Sequence, residues 1–86
     1  MRGQIVCSKA GRDKGYFMAV VGTDGDFLLV CDGKERPLDR PKKKNPRHLT
    51  VCTQRLPEEA LRSNKSLKKA LAVFRDSAKQ GRNQNG

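Results

Sequence analysis

Residues 15–32, GYFMAVVGTDGDFLLVCD, contain two apolar runs joined by a short polar segment. The runs at 17–21 and 27–31 are nearly uninterrupted and rich in residues that favour β-strands. The polar segment TDGD contains an Asp-Gly step, which supports the positive backbone angles of a tight hairpin turn. The stretch therefore predicts strands at 15–22 and 27–32 that are buried on both faces, so a further element must cover the outer face.

Three further segments supply the other expected strands. GQIVCS at 3–8 predicts the first strand, KERPL at 34–38 a short fourth strand, and HLTVCT at 48–53 a fifth. Pro37 indicates that the fourth strand lies at an edge of the sheet, where a missing N–H costs least. The segment DRPKKKNPR at 39–47 is too charged and proline-broken to be regular. About five short strands with tight turns predict a small, half-open β-barrel.

The C-terminal sequence predicts the covering element. LPEEALRSN at 56–64 opens a first helical turn with a proline and two acidic residues. A second helix is expected over 66–81, with Ser63 or Asn64 as its N-cap and Gly81 at its end. Its apolar residues recur at helical spacing: Leu67, Ala70, Leu71, Phe74 and Ala78. We interpret this stripe as the face that covers the barrel, the alternatives being a partner-binding or a membrane-surface helix.

The length of the chain sets its organisation. Its 86 residues suffice for one small domain. We expect a mainly β fold with a C-terminal helical segment, divided into a barrel at 1–55, the helical segment at 56–80 and a flexible tail at 81–86. Because only 35% of the residues are hydrophobic, the core is expected to be thin, and a helix that covers part of the sheet would stabilise it.

The charge balance indicates a polyanionic partner. The chain has a formal net charge of +10 and a sequence pI near 10.1, and small basic domains of this kind bind nucleic acid or anionic membrane surfaces. No stretch approaches the roughly 18 apolar residues that a membrane span needs. The N-terminal MRGQIVC lacks the apolar run and cleavage site of a signal peptide. We therefore expect a cytoplasmic protein that does not bind membranes.

The chemistry-bearing side chains form no catalytic or metal-binding pattern in the sequence. Cys7, Cys31 and Cys52 are odd in number and lie far apart, whereas zinc sites usually take four ligands from close pairs. We expect all three thiols to be reduced and mostly buried. The single histidine, His48, has no nucleophile or acid beside it in sequence. We therefore expect no enzymatic activity, no cofactor and no small-molecule substrate.

The first candidate site is the loop that precedes the second strand. Gly11 and Gly15 can adopt positive φ, and their missing side chains allow another backbone to approach. The cations around them are Lys9, Arg12 and Lys14. Phosphate binds such a loop through charge together with backbone N–H groups that point outward. We interpret Asp13 as a residue that shapes the loop by accepting hydrogen bonds from nearby N–H groups.

The second candidate site is the basic segment that precedes the fifth strand. Its cations are Arg40, Lys42, Lys43, Lys44 and Arg47. We interpret the segment as an extended arm laid along phosphates, the alternative being a solvated surface loop. His48, at the start of the fifth strand, either contacts a base or phosphate or has a structural role.

Two minor sets of residues bear on how RNA would be recognised. Lys65, Lys68 and Lys69 on the polar face of the second helix either add RNA contacts or are solvated. Tyr16 and Phe17 either pack in the core or place one ring on the surface to stack on a base. Aromatic residues make up only 5% of the chain, which favours recognition of folded RNA through shape and phosphate over base-by-base reading.

A family resemblance agrees with this interpretation. GQIVCSKAGRDKGYFMAVVG at 3–22 resembles the KOW motif of small RNA-binding barrels, with the central glycine of the motif at Gly11 and its Lys-Gly step at Lys14 and Gly15. Together with DFLLVCDGKERPLDRPKKKNPRHL, it is similar to short bacterial KOW-domain proteins related to the large-subunit ribosomal protein family of the L-fourteen-e type. The resemblance covers roughly residues 2–50 and implies an SH3-like barrel that binds structured RNA, above all ribosomal RNA.

These observations together predict a non-catalytic RNA-binding protein. We expect a ribosomal or ribosome-associated protein that contacts the RNA of the large subunit and, as further partners, ribosomal proteins. One alternative is a protein-interaction module that docks on the transcription or translation machinery through its apolar helix stripe. A second alternative is a non-specific binder of double-stranded DNA.

Overall fold

Five antiparallel strands form one sheet in the order β4-β3-β2-β1-β5 in the structure, a computed structural model. The structure describes the backbone of residues 2–12 and 14–85 and the side chains of that part up to residue 77. The strands are β1 (Gln4–Ser8), β2 (Phe17–Asp24), β3 (Phe27–Cys31), β4 (Lys42–Lys44) and β5 (Leu49–Arg55). The helices are a first 3-10 helix (Pro46–His48), a second 3-10 helix (Glu58–Leu61) and α1 (Asn64–Asn85). The expected mainly β fold with a C-terminal helix is confirmed.

The hairpin formed by β2 and β3 agrees closely with the sequence. Asp24 pairs with Phe27, so Gly25 and Asp26 form a two-residue turn, and Gly25 has a φ of 61°. The register of the hairpin shifts between Val20 and Gly22. Such an irregularity bends a strand and increases its twist, which helps the sheet to curl.

Successive residues of the central strands enter two different cores, one on each face of the sheet. The inner core consists of Val6, Met18, Val20, Leu28, Val30 and Leu49. Leu28 of β3 and Leu49 of β5 share this core although two strands lie between theirs, so the sheet curls into a small barrel-like fold. The outer core joins Ile5, Ala19 and Cys31 of the sheet to Leu61, Leu67 and Leu71 of the helical segment. The predicted burial of both faces is confirmed.

Helix α1 covers the outer face of the sheet. Leu67 and Leu71 are 0% and 3% exposed, and the ring of Phe74 meets that of Phe17 edge-to-face at a centroid distance of 5.1 Å. The apolar stripe therefore packs on the protein's own barrel, as predicted from the sequence. The side chain of Ala78, the last residue of the predicted stripe, lies outside the described residues. None of the helices in the described part of the chain is long and apolar enough to span a membrane.

The boundaries of the helical segment differ from the prediction. The segment expected to begin a first α-helix forms only a 3-10 turn at Glu58–Leu61. Ser63 caps α1, because its hydroxyl oxygen accepts the N–H of Ser66 at 3.1 Å. The helical backbone then continues through Gly81 to Asn85, so the helix end expected at Gly81 is wrong, whereas the flexibility expected of the tail at 81–86 stays a prediction. Gly86, the last residue of that tail, lies outside the described residues.

The predicted fourth strand at 34–38 is also wrong. The carboxylate of Asp32 accepts the backbone N–H groups of Lys34 and Arg36, each at 2.8 Å, and these bonds close the segment into a turn. The fourth strand is instead Lys42–Lys44, inside the segment expected to be irregular. It pairs with the free edge of β3, where long lysine stems can cover apolar surface while their charges stay in water.

Candidate functional site

The glycine loop between β1 and β2 has the backbone conformation that its sequence predicts. Gly11 and Gly15 have φ values of 73° and 89°. A Cβ atom at either glycine would have no other atom within 4 Å, so these residues serve the turn and not a close backbone approach. Lys9, Arg12 and Lys14 are exposed around the loop. Asp13, expected to shape the loop, lies outside the described residues.

Several backbone N–H groups of this loop are used within the protein. Gly15 N–H donates to the carbonyl of Ser8 at 2.7 Å, and Lys14 N–H donates to that of Gly11 at 3.2 Å. Lys9 N–H donates to the carbonyl of His48 at 2.9 Å. The expectation that the loop amides point outward is therefore wrong for these three. A phosphate at this loop would be met mainly by the charged side chains of the three cations.

The bond from Lys9 to His48 places the glycine loop against the first 3-10 helix. The Asn45 side chain caps this helix by accepting the N–H of Arg47 at 3.0 Å, and His48 N–H donates to the carbonyl of Asn45 at 2.9 Å. Both Arg47 and His48 are exposed. The end of the basic segment thus lies beside the loop. We call the exposed side chains of these two segments the loop–turn surface, and its members are Lys9, Arg12, Lys14, Arg47 and His48.

Lys44 lies behind the loop–turn surface and is not one of its exposed members. Its Nζ donates to the hydroxyl oxygen of Ser8 at 3.4 Å, and this hydroxyl in turn donates to the carbonyl of Ala10 at 3.1 Å. Ser8 is 1% exposed, so the half-buried lysine is anchored on a buried polar group at the base of the loop. Lys44 therefore adds positive charge behind the exposed cations.

Two cations of the predicted arm, Lys43 and Arg40, do not belong to this surface. Lys43 lies on the opposite side of β4, where its Nζ is 2.9 Å from a carboxylate oxygen of Asp24 and 5.6 Å from the ring centroid of Phe27. Neighbouring residues of a strand point to opposite faces, which separates Lys43 from Lys42 and Lys44. Arg40 lies in a separate turn, in which its N–H donates to the carbonyl of Pro37 at 2.9 Å. A single extended arm is therefore wrong.

The cysteines are free, as expected, but only one is fully enclosed. Cys31 is buried, whereas Cys7 and Cys52 are half-buried. Burial raises the pKa of the Cys31 thiol to about 11, and the nearby carboxylates of Asp32 and Asp39 contribute to the rise. Burial raises the pKa of Cys52 as well, and Cys7 adds to that shift. Raised values disfavour the thiolate, which is the reactive form.

Residues 2–12 and 14–77 contain no cluster of three or more His, Cys, Asp or Glu side chains that could hold a metal ion.

The two neighbouring aromatic residues have different surroundings: Phe17 packs against the outer core, whereas Tyr16 is 55% exposed. The exposed basic face of α1 carries Lys65, Lys68 and Lys69, as expected.

Two residues that organise the loop–turn surface were missed from the sequence. Asn45 precedes a proline, and an Asn-Pro step that opens a helical turn could have identified it as a cap. Ser8 has no local signal, because its role depends on a lysine that reaches it from β4.

No protein-family model matches the chain, and no curated protein shows significant similarity to it.

Proposed function

We propose that this protein binds structured RNA, in the first place ribosomal RNA of the large subunit, as a ribosomal or ribosome-associated protein of the cytoplasm. The observation that carries the proposal is the hydrogen bond from Lys9 N–H to the His48 carbonyl at 2.9 Å. It brings two basic segments that are distant in sequence onto one side of the barrel. Their exposed cations can contact phosphates, while the fixed spacing between the segments selects RNA shape.

The charge of the whole chain supports a polyanionic partner. With a formal net charge of +10, the protein attracts nucleic acid at long range, and the loop–turn surface concentrates that charge. The proposed SH3-like barrel and the resemblance to KOW-domain proteins point to the same class of partner.

The alternative function, docking on a protein partner, requires an exposed apolar stripe on helix α1. Its expected docking stripe is occupied, because Leu67 and Leu71 are buried against the sheet. RNA binding is therefore the function that the described geometry supports best.

The test is sedimentation of the tagged protein from fresh lysate through a gradient, at low and high salt and with and without nuclease. We expect co-migration with large ribosomal subunits. Association that persists at high salt would indicate a ribosomal component, and association lost at high salt an accessory factor held by phosphate contacts. Migration apart from ribosomes under every condition would contradict the ribosomal assignment.

A second assay separates RNA from DNA. The purified protein is titrated with RNA and DNA duplexes of equal length and sequence at one salt concentration. We expect tighter binding to RNA, because its groove geometry and 2′-hydroxyl groups differ from those of DNA. Equal affinity would favour the non-specific DNA binder instead.

A further inference from the structure

A recess lies next to the basic loop, between the start of β2, the turn at 32–36 and helix α1. It has a volume of about 240 Å³, and Phe17 and Leu71 supply its apolar wall. Pockets for drug-sized ligands measure roughly 300–1,000 Å³, so this recess suits a smaller planar group such as one nucleobase. We call it the Tyr16 pocket.

Tyr16 places an aromatic ring at the pocket. The residue directly follows Gly15 of the basic loop, and its side chain is 55% exposed while neighbouring Phe17 packs inward. An exposed ring beside a phosphate-binding surface is the usual platform on which an unstacked base lies. RNA bound at the loop could therefore place one of its bases on Tyr16.

The opposite wall of the pocket is fixed before any ligand arrives. Gly33 has a φ of 82°, and a Cβ atom there would overlap the carbonyl oxygen of Asn64 and lie 3.0 Å from the amide nitrogen of Lys68. The turn thus packs directly on the backbone of the first turns of α1. The two bonds accepted by the Asp32 carboxylate hold the remainder of the turn. A wall held in this way costs little further ordering on binding.

The polar groups of the pocket include both hydrogen-bond donors and acceptors. The turn contributes Lys34 and Glu35, which are adjacent and exposed, and the helix contributes Lys68 and Arg75. Among the described residues, Glu35 takes part in no ion pair. Its carboxylate can therefore accept hydrogen bonds from a ligand, and the adjacent ammonium group can donate one.

This combination matches guanine better than the other bases. Guanine presents two adjacent donors, N1–H and the N2 amino group, which can bond both oxygens of one carboxylate, and its O6 beside them accepts from a cation. Adenine and cytosine place an acceptor next to their amino group, which a carboxylate would repel. Uracil offers a single donor between two acceptors.

We propose that the Tyr16 pocket binds one unstacked guanine nucleotide. Tyr16 stacks on the base, Glu35 accepts from N1–H and the N2 amino group, and Lys34 donates to O6. Lys68 and Arg75, two turns apart on α1, contact the flanking phosphates. This inference rests on the proposed function in that RNA supplies the nucleotide, although a free guanine mononucleotide has the same chemistry.

The first test measures affinity for three RNA hairpins that are identical except for a single bulged nucleotide: guanosine, adenosine or inosine. We expect the bulged guanosine to bind about 5- to 150-fold more tightly than the bulged adenosine, the range for a good bidentate base contact. Inosine, which lacks the N2 amino group, should fall between them. Equal affinity for all three hairpins would overturn the proposal.

Variants tie this preference to the pocket. Glu35→Gln should abolish the preference for guanosine, and any change in affinity for a fully paired hairpin should equal that caused by Glu59→Gln, since both remove one negative charge. Glu59→Gln removes the same charge from an exposed residue on the second 3-10 helix and should keep the preference. A preference that survives Glu35→Gln would contradict the role of the carboxylate.

The chain also carries its own optical probe. Tyr16 is the only tyrosine and there is no tryptophan, so tyrosine emission reports on this pocket alone. The bulged-guanosine hairpin should quench the emission at the concentrations at which it binds, whereas binding without quenching would exclude stacking.

Quenching by free guanosine monophosphate but not by RNA would support the pocket as a mononucleotide site while rejecting RNA as its source. Binding of all hairpins without preference would leave the RNA-binding function intact and reject only the pocket.

Discussion

The backbone N–H of Lys9 lies 2.9 Å from the carbonyl oxygen of His48, and this bond fastens the glycine loop to the 3-10 turn that precedes β5. It is reinforced by the pairing of Ser8 with Leu49 at the adjacent ladder position. Two stretches of positive charge are thereby held beside each other. Since both contacts are formed by backbone atoms, the positions of the segments do not depend on the charged side chains themselves.

The separation of Arg47 from Lys43 gives a matched pair of charge deletions. Arg47→Ala should weaken binding to structured RNA and lower the slope of log affinity against log salt by about 0.7 to 0.9, the value for one lost phosphate contact. Lys43→Ala should leave the slope nearly unchanged, because Lys43 already pairs with Asp24 at 2.9 Å on the other side of β4. Measurement of affinity at several salt concentrations tests both. Equal losses in the two variants would mean that the whole basic segment acts as one arm.

The cap of the first 3-10 helix should affect both stability and binding. Asn45→Ala removes the acceptor of the Arg47 N–H and should lower the free energy of unfolding by roughly 0.5–2 kcal/mol. RNA affinity should fall as well, since the cap sets the positions of Arg47 and His48. Asn45→Ser keeps an acceptor at the cap and should restore most of both properties in urea unfolding and RNA titration. An alanine variant with unchanged stability and affinity would contradict this role.

Two glycines with positive φ should respond differently to the same substitution. Gly11→Ala faces open space and should lose roughly 1–2 kcal/mol of unfolding free energy, the cost of the left-handed conformation. Gly33→Ala has the same conformational cost, and its new Cβ atom would also overlap the backbone of α1, so this variant should lose more unfolding free energy. Urea unfolding of both variants measures the difference. Equal losses would show that the turn at 32–36 can move away from the helix without penalty.

The raised pKa of Cys31 predicts a specific loss of stability at alkaline pH. The unfolded thiol titrates near its ordinary value of 9.0, whereas the folded thiol stays protonated up to about 11. The contribution of this group is therefore fully present below pH 9 and declines between pH 9 and 11, because the unfolded state releases its proton first. Unfolding free energies across this range should fall less steeply for Cys31→Ala than for the unchanged chain. Parallel curves would contradict the shift.

Elements of the fold could be predicted from the sequence where neighbouring residues determine them, and could not where contacts between distant segments do. The hairpin at 17–31 and the stripe of Leu67, Leu71 and Phe74 were predictable, because each arises from a local apolar period and adjacent turn residues. The strand at 42–44 was not, because three lysines have little β-preference of their own and become a strand only by pairing with β3.

The candidate site shows the same division. The positive φ values of Gly11 and Gly15 followed from local composition. The contact between Lys9 and His48 and the separation of Lys43 from its neighbours follow from strand pairing, which one sequence does not reveal. The sequence thus identified the cations but could not show which of them share a surface.

The most direct test of the central claim compares two variants in the salt dependence of their affinity for a structured ribosomal RNA fragment. One replaces Lys9, Arg12, Lys14 and Arg47 by alanine, and the other replaces an equal number of cations outside the loop–turn surface: Arg40, Lys43, Lys65 and Lys69. We predict that the first variant lowers the salt slope by about three units. The second, with the same net charge, should lower it by less than one unit. Equal slopes in the two variants would mean that RNA is attracted by net charge alone, and would contradict a defined RNA-binding surface at the glycine loop.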